Sequence, residues 1–273
     1  MTAPERGGTV AGVDSSVPNV ARIYDYLLGG KDHYAADREA AERLVAAAPE
    51  VLVTVRENRA FLRRAVRRLA RAGIRQFIDI GSGLPTRPNV HEVAQEVDPG
   101  ARVVYADNDP VVVTHGRALL ALSPGVAVVE GDARDPDAIL DDPATRELID
   151  LSRPVAVLLL ALLHFVPDEQ DPAGVVRRLR ERTAPGSALV FSHVTSEGNR
   201  PEAAGTARSV YASSTAPLAL RSRSRIAALL DGYELEEPGL VYAPEWWPDQ
   251  AVEEQAHGVE PAGTFLLVAV GRR

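Results

Sequence analysis

A doubly wound, mostly parallel α/β sheet is the fold this chain predicts, and three observations carry the prediction. From residue 76 onward, short apolar runs rich in Val, Ile and Leu alternate with helical patterns, the rhythm of a parallel sheet covered on both faces. The first such run ends in a glycine loop, Asp79-Ile80-Gly81-Ser82-Gly83, and the second, Val103-Val104-Tyr105-Ala106-Asp107, ends in a carboxylate. Glycines let backbone approach a ligand where a Cβ would clash, and an acid ending the next strand can accept both ribose hydroxyls. The pair therefore reads as a nucleoside site.

Taken in order, residues 1–17 are rich in Gly, Ser, Thr and Pro with little periodicity and are expected to be flexible. Residues 18–73 form a helical cap: Asn19 caps a helix through Leu28, Gly29-Gly30 stops it, a second helix covers 37–48 and a third 51–72. The nucleoside-binding core spans 74–194. Its strands are expected at 76–80, 102–106, 126–130, 155–162 and 188–193, with helices at 88–97, 110–121, 136–150 and 172–182. Residues 195–224 lack a strand pattern, contain Gly198, Pro201, Gly205 and Pro217, and are expected to form a partly helical lid. A helix at 222–231 and strands at 239–244 and 264–270 complete a seven-stranded sheet. Lid and cap should meet over the carboxyl ends of the strands, where ligands bind in open α/β sheets.

Composition bounds the function. At 273 residues and 45% hydrophobic content the chain can bury one large core. A net charge of −8 repels nucleic acid at long range, so no nucleic-acid partner is expected. The longest apolar run, Val155–Leu163, is too short to span a bilayer, and no apolar signal segment opens the chain; no membrane partner and a cytoplasmic location are the expectations. There is no cysteine, and the six histidines show no paired spacing, so no metal is expected. Eight arginines fall between Arg56 and Arg75; Arg63, Arg64, Arg67, Arg68 and Arg71 face away from Leu62, Val66 and Leu69 and read as a solvated helix face, or as a docking patch for an acidic partner.

The glycine loop discriminates between nucleosides by charge. A dinucleotide site needs free backbone N–H groups at a helix N-terminus to hold a dianionic pyrophosphate. Here Pro85 and Pro88 remove two donors, Thr86 stands where a third glycine would be, and Asp79 adds a negative charge. S-adenosylmethionine carries the same adenosine with a sulfonium and an ammonium in place of phosphates, and a carboxylate beside the loop attracts it. A third strand, 126–130, runs into Gly131-Asp132-Ala133-Arg134, where a carboxylate can accept the adenine amino group, although an Asp after a strand also serves as an N-cap.

A longer pattern agrees. Pro18-Asn-Val-Ala-Arg-Ile-Tyr24-Asp25-Tyr26-Leu-Leu-Gly29-Gly30-Lys31-Asp32-His33-Tyr34, Arg56-Glu-Asn58-Arg59-Ala-Phe61-Leu62, the glycine loop through Thr86, Tyr105-Ala-Asp107-Asn108-Asp109-Pro110 and Leu163-His164-Phe165-Val-Pro167-Asp168 together resemble the actinobacterial S-adenosylmethionine-dependent methyltransferases long classed as a domain of unknown function. The Tyr-Asp-Tyr-Leu-Leu-Gly-Gly-Lys-Asp run is specific to that family; the glycine loop is shared with many methyltransferases. The resemblance covers nearly everything from residue 18 onward. It implies a class I methyltransferase fold with a terminal antiparallel hairpin and S-adenosylmethionine as cofactor, and it names no substrate.

On this reading Asp79, Gly81, Ser82 and Gly83 take the methionyl end, Asp107 the ribose, and Asn108, Asp132 and Ala133 the adenine. Tyr24, with Tyr26 and Tyr34, lines the cofactor or substrate cavity, and Asp25 or Asp32 meets the methionyl amine; packing of helices is the competing reading for the tyrosines. Lys31, the only lysine, suggests a place where an ammonium is wanted, against an ordinary surface lysine. His164, after the fourth strand, and His193, ending the fifth, are placed to act as a base if the nucleophile needs one, or are structural histidines. Trp246 and Trp247 are assigned to hairpin packing or a homodimer contact. The acceptor is expected to be a small molecule, and Phe165, Val166, Tyr211 and Leu218 hint that it is apolar. Two other classes stay open: a regulator that senses S-adenosylmethionine or S-adenosylhomocysteine without catalysis, and an NAD(P)-dependent oxidoreductase, which lacks a Tyr-x-x-x-Lys pair here. Ser82 lacks the residue between Gly and Ser that a hydrolase nucleophile elbow requires.

Overall fold

The computed structural model describes residues 14–247 and 264–273. The flexible segment expected at 1–17 lies outside the described residues as far as 13; residues 14–17 form a turn whose Val17 carbonyl accepts from Arg22 Nη2 at 3.0 Å. Helix α1 (Val20–Leu27) starts at Asn19, whose side chain accepts from the Ala21 and Arg22 N–H groups, and stops where Gly29 takes a φ of +81°. Helix α2 (Ala35–Ala47) follows, then α3 (Val51–Arg71). Asp37 joins the first two: buried with Arg22, it pairs with the Arg22 Nε at 2.8 Å and accepts from the Asn19 and Tyr34 N–H groups at 2.8 and 2.7 Å.

The sheet begins with β1 (Gln76–Ile80), followed by α4 (Val90–Val97), β2 (Arg102–Asp107), α5 (Pro110–Leu119) and β3 (Val126–Glu130). One helix expected over 136–150 is two, α6 (Pro136–Asp141) and α7 (Pro143–Leu148). Asp142, which precedes Pro143, is pushed out of helical conformation and caps the second helix through the Ala144 N–H. Next come β4 (Ala156–Leu159), α8 (Pro172–Arg182), β5 (Ala188–Val194), α9 (Pro201–Ala212), α10 (Arg223–Ala228), β6 (Glu234–Leu235), β7 (Val241–Tyr242) and β8 (Leu266–Arg272). Strand β4 is shorter than its apolar run because the chain turns at Ala161, where φ is 51°.

Strand order is β3-β2-β1-β4-β5-β8-β6, with β7 also paired to β8. β1 to β5 run parallel, while β8 is antiparallel to β5, β6 and β7. The described sheet thus has eight strands, not seven. The edge position beside β8 is shared by two strands of two residues each, interrupted by Pro238 and Gly239, and both bind β8. Pleating sends Phe77, Val103 and Val190 to one face, against Phe61, Leu69 and Val93 of α3 and α4. Ile78, Val104 and Leu189 go to the other, against Ile139, Leu179 and Ile226. Each such buried side chain is worth roughly 1.5–3 kcal/mol. A third cluster, Ile23, Leu27, Ala41, Leu44, Val55 and Val210, joins α1, α2, α3 and α9.

Arg64 departs from the solvated arginine face. It is buried, and donates through Nε to the Trp246 carbonyl at 3.0 Å and through Nη2 to the Ala243 carbonyl at 2.6 Å, fixing the turn after β7 to α3. Trp246 is buried edge-on against Phe61, and the exposed Trp247 lies under the Arg68 guanidinium. Among the described residues no helix is long and apolar enough to cross a membrane.

Candidate functional site

β1 is flanked by β2 on one side and β4 on the other, so the chain reverses its direction of sheet building there and leaves a crevice at the carboxyl ends. A cavity of about 750 Å³ occupies it, within the ~300–1,000 Å³ usual for small-molecule sites. It is lined by the loops after β1, β2, β3 and β4, by the end of β5 and by α1 and α3.

The loop after β1 is turned sharply by two N–H groups, of Gly81 and Ser82, that donate to the Ala106 carbonyl at 2.8 and 3.2 Å. Gly81 and Gly83 have φ of +70° and +65°, values that favour glycine. A Cβ at Gly81 would stand 2.5 Å from Leu162 Cδ1, whereas one at Gly83 would meet nothing within 4 Å. Bare backbone is therefore presented to open cavity at Gly83. Asp107 is held by the Gly83 N–H at 2.9 Å and the Asp109 N–H at 3.0 Å, leaving further lone pairs on both oxygens.

Asp79 lines the same cavity and is 6% exposed, with no hydrogen-bond partner among the described residues. Burial pushes its carboxyl up to about 7; the Arg59 guanidinium pulls against this and the Asp107 carboxylate adds to it. A buried acid without a donor either keeps its proton or takes up a cation. Arg59 donates through Nη2 to the Thr86 and Pro88 carbonyls, propping the exit of the glycine loop. It lines the cavity, and the sequence reading gave it no role. Its signal was present: Val55, Asn58, Arg59, Leu62 and Val66 share one helical stripe, so Arg59 interrupts a buried face.

Asp132, Asn108 and Ala133 all line the cavity. The Asp132 carboxylate is already engaged by Arg134, with Nε at 2.8 Å, and by Asn108 Nδ2 at 3.3 Å; these hydrogen bonds, Arg134's first, hold it down at about 2. Tyr24 forms wall: its hydroxyl donates to the Val55 carbonyl at 3.2 Å and accepts from Asn58 Nδ2 at 2.9 Å, and Asn58 Oδ1 accepts from Ser192 at 2.7 Å.

Tyr26, Tyr34, Asp32, Lys31 and His193, all expected at the site, do not line the cavity: the Tyr26 hydroxyl donates to Glu42, and Tyr34 stands at the start of α2 with its ring against the Arg22 guanidinium. Lys31 is exposed, because the chain after Gly29 folds back onto Asp25, whose carboxylate accepts from the Asp32 N–H at 2.9 Å, and the intervening turn points outward. His193 is buried behind the wall with both ring nitrogens engaged, by the Val194 carbonyl and by Arg221. His164 does line the cavity, beside Phe165 and Tyr211, whose rings meet at 5.0 Å. Phe165, Val166, Tyr211, Leu62 and Leu160 make the chamber beyond the glycine loop predominantly apolar; Leu218 is not part of its lining.

The chain matches, over residues 7–272, the model of a family described as S-adenosyl methyltransferase. A crystal structure of a DUF574 family protein from Streptomyces avermitilis is 45% identical, covers 95% of this chain and 99% of its own, and superposes with a TM-score of 0.89. A provisionally assigned methyltransferase from Thermobifida fusca is 43% identical, with coverage of 96% and 97% and a TM-score of 0.88. An O-methyltransferase family protein from Burkholderia thailandensis, 15% identical with coverage of 79% and 58% and a TM-score of 0.50, shares the fold alone. No curated protein matches.

Proposed function

The chain belongs to the S-adenosyl methyltransferase family, and from that premise we propose that it methylates a small, largely apolar molecule held in the chamber beyond the glycine loop. It is an S-adenosylmethionine-dependent methyltransferase of class I fold; the acceptor and the residue roles are the parts proposed. When bound, the cofactor supplies a methyl on a sulfonium, a good leaving group, so the protein's work is to bind, orient and exclude water.

The observation that carries the reading is Asp79: a buried, unpartnered carboxyl opening on the same cavity as the bare Gly83 backbone and the Asp107 oxygens. Asp79 would meet the methionyl ammonium, with Arg59 positioned for its carboxylate. Asp107 would accept from the ribose hydroxyls while the Gly83 and Asp109 N–H groups keep it in place. Asn108, Asp132 and the Ala133 backbone would border the adenine; Asp132 does so as an anion shared with Arg134. Gly81 and Ser82 shape the turn and leave its exposed side free. Tyr24, tied to Asn58 and Ser192, walls the chamber.

Incubating the protein with S-adenosylmethionine labelled in the methyl group and a fractionated actinobacterial extract tests the acceptor class. Label is expected in organic-soluble small molecules. Label incorporated into protein or nucleic acid would overturn the small-molecule reading.

A further inference from the structure

Arg221 lies outside the cavity at 3% exposure, yet it holds the wall that carries His164. Nη1 donates to the Leu163 carbonyl at 2.9 Å and to His193 Nε2 at 2.8 Å; Nη2 donates to the Val166 carbonyl at 2.7 Å. Nε and Nη2 both meet Asp168 Oδ1, at 2.9 and 2.8 Å. The Arg221 main chain is bridged to Thr195 at the end of β5, and the Ala219 N–H donates to the His164 carbonyl at 2.8 Å.

These contacts determine two protons. Guanidinium nitrogens only donate, so His193 Nε2 is an acceptor and its ring proton sits on Nδ1, 2.8 Å from the Val194 carbonyl. A backbone N–H also only donates. That of Val194 is directed at His164 Nδ1 at 3.4 Å, so the His164 proton sits on Nε2. Each tautomer is imposed by a partner that cannot take the opposite role.

We propose that Arg221 is a positioning residue which fixes the His193 tautomer and braces the wall carrying His164, that the Val194 N–H makes His164 a neutral donor whose Nε2–H serves the chamber, and that the methyl acceptor is an acidic phenol or enol meeting it as an oxyanion. The second half rests on the methyltransferase reading; the first does not. A donor cannot take a proton from the acceptor, so the nucleophile has to ionise by itself near neutrality, which an aliphatic alcohol and an unactivated phenol, at about pH 10, do not do but a phenol or enol conjugated to an electron-withdrawing group does. An amine would turn N–H groups toward the His164 N–H. The apolar, aromatic wall of Phe165 and Tyr211 suits an unsaturated ring. With an ionised oxygen the transfer balances without a base: the oxygen lone pair forms the new O–C bond, the C–S bond breaks onto sulfur, and no proton leaves. The charged neighbours of the imidazole agree. Burial first, then His193 and Arg221, drive His164 well below the usual histidine range, and Asp168 faces Arg221 from its far side.

Nitrogen NMR of the full chain labelled with ¹⁵N-histidine reads the tautomers directly, with His164→Gln and His193→Gln assigning the signals. The expected spectrum has His164 with a pyridine-like Nδ1 and a pyrrole-like Nε2, His193 the reverse, and neither titrating between about pH 5 and about pH 8, where an ordinary histidine does. A pyrrole-like Nδ1 on His164, or an imidazolium forming in that range, would overturn the donor assignment. In Arg221→Met the His193 constraint is gone and exchange between its tautomers should broaden its signals, while His164, held by the Val194 N–H, keeps its own; if that variant fails to fold, the parent spectrum still decides. The acceptor half is read in the labelled-methyl assay. His164→Gln keeps a donor and loses less than tenfold, whereas His164→Leu loses the hydrogen bond that favours the ionised acceptor, so its rate at neutral pH falls on the order of tenfold or more and recovers as pH is raised. Equal losses in both would overturn it. Absence of labelled product with the parent protein would instead count against the acceptor reading and leave the tautomers standing.

Discussion

At the residue scale, the ammonium-binding role proposed for Asp79 carries a pH dependence. Its folded-state pKa of about 7 stands above the 3.8 of a free carboxyl. Between those values the folded chain therefore holds a proton that the unfolded chain has lost, and the group's contribution to stability falls as pH rises through that window. A bound ammonium reverses the preference, so binding below about pH 7 releases the Asp79 proton. Affinity for S-adenosylhomocysteine should rise as pH rises toward 7, flatten, and decline only at higher pH, once the ligand amine deprotonates. Calorimetry across pH checks this, and Asp79→Asn should weaken binding and abolish the rising limb. A rising limb that survives in Asp79→Asn would assign the proton to another group. Asp79, Gly81, Gly83 and Asp107 were legible because strand-end acids and glycines announce themselves by spacing. Arg59 was hidden by its arginine-rich neighbourhood, and Lys31 misled because a family-specific run mixes residues that face the cavity with residues that only turn the chain.

At the element scale, the cap is fastened to itself by one ion pair with no solvent to soften it. Asp37 receives the Arg22 guanidinium and two backbone N–H groups from the starts of α1 and α2. Asp37→Ala would leave a buried cation and two donors unpaired, a loss of about 3–5 kcal/mol. For a domain of this size that lowers the melting temperature by on the order of 10 °C. Glu42→Ala, which removes only an exposed hydrogen bond to Tyr26, should leave melting unchanged; scanning calorimetry of both variants separates the cases. The helices and the five parallel strands could be read from periodicity and caps, Asn19 most clearly. β6 and β7 could not, because two residues are too few to show alternation and their pairing is dictated by the distant β8. The break at Asp142-Pro143 did carry its signal in the proline, which outweighed an otherwise continuous helical pattern.

At the scale of the whole molecule, two large cores fix the sheet while a third, smaller cluster joins α1, α2 and α9 beside the cavity. Local opening free energies follow such differences in buried contact. Hydrogen exchange should be fastest, apart from loops, in residues 20–27 and 201–212, and S-adenosylhomocysteine should slow those segments more than β1 or β4; equal slowing everywhere would mean that the cluster does not open independently. That the site lies at the carboxyl ends of β1 to β5 was legible from the strand-end motifs and the switch-point rule. The contacts that Arg221 makes with His193 and with the wall carrying His164 were not, since they depend on which atoms of distant residues meet. The central claim is that the glycine loop and its carboxylates form a site for a cationic nucleoside rather than for a pyrophosphate. Its most direct test is calorimetric titration with S-adenosylhomocysteine, with NAD as the matched control and Asp107→Ala as the site control. The account predicts binding of S-adenosylhomocysteine but not NAD, weakened at least tenfold in Asp107→Ala through loss of hydrogen bonds worth ~1.5–3 kcal/mol, with the fold intact. Tighter binding of NAD, or unchanged affinity in the variant, would contradict it.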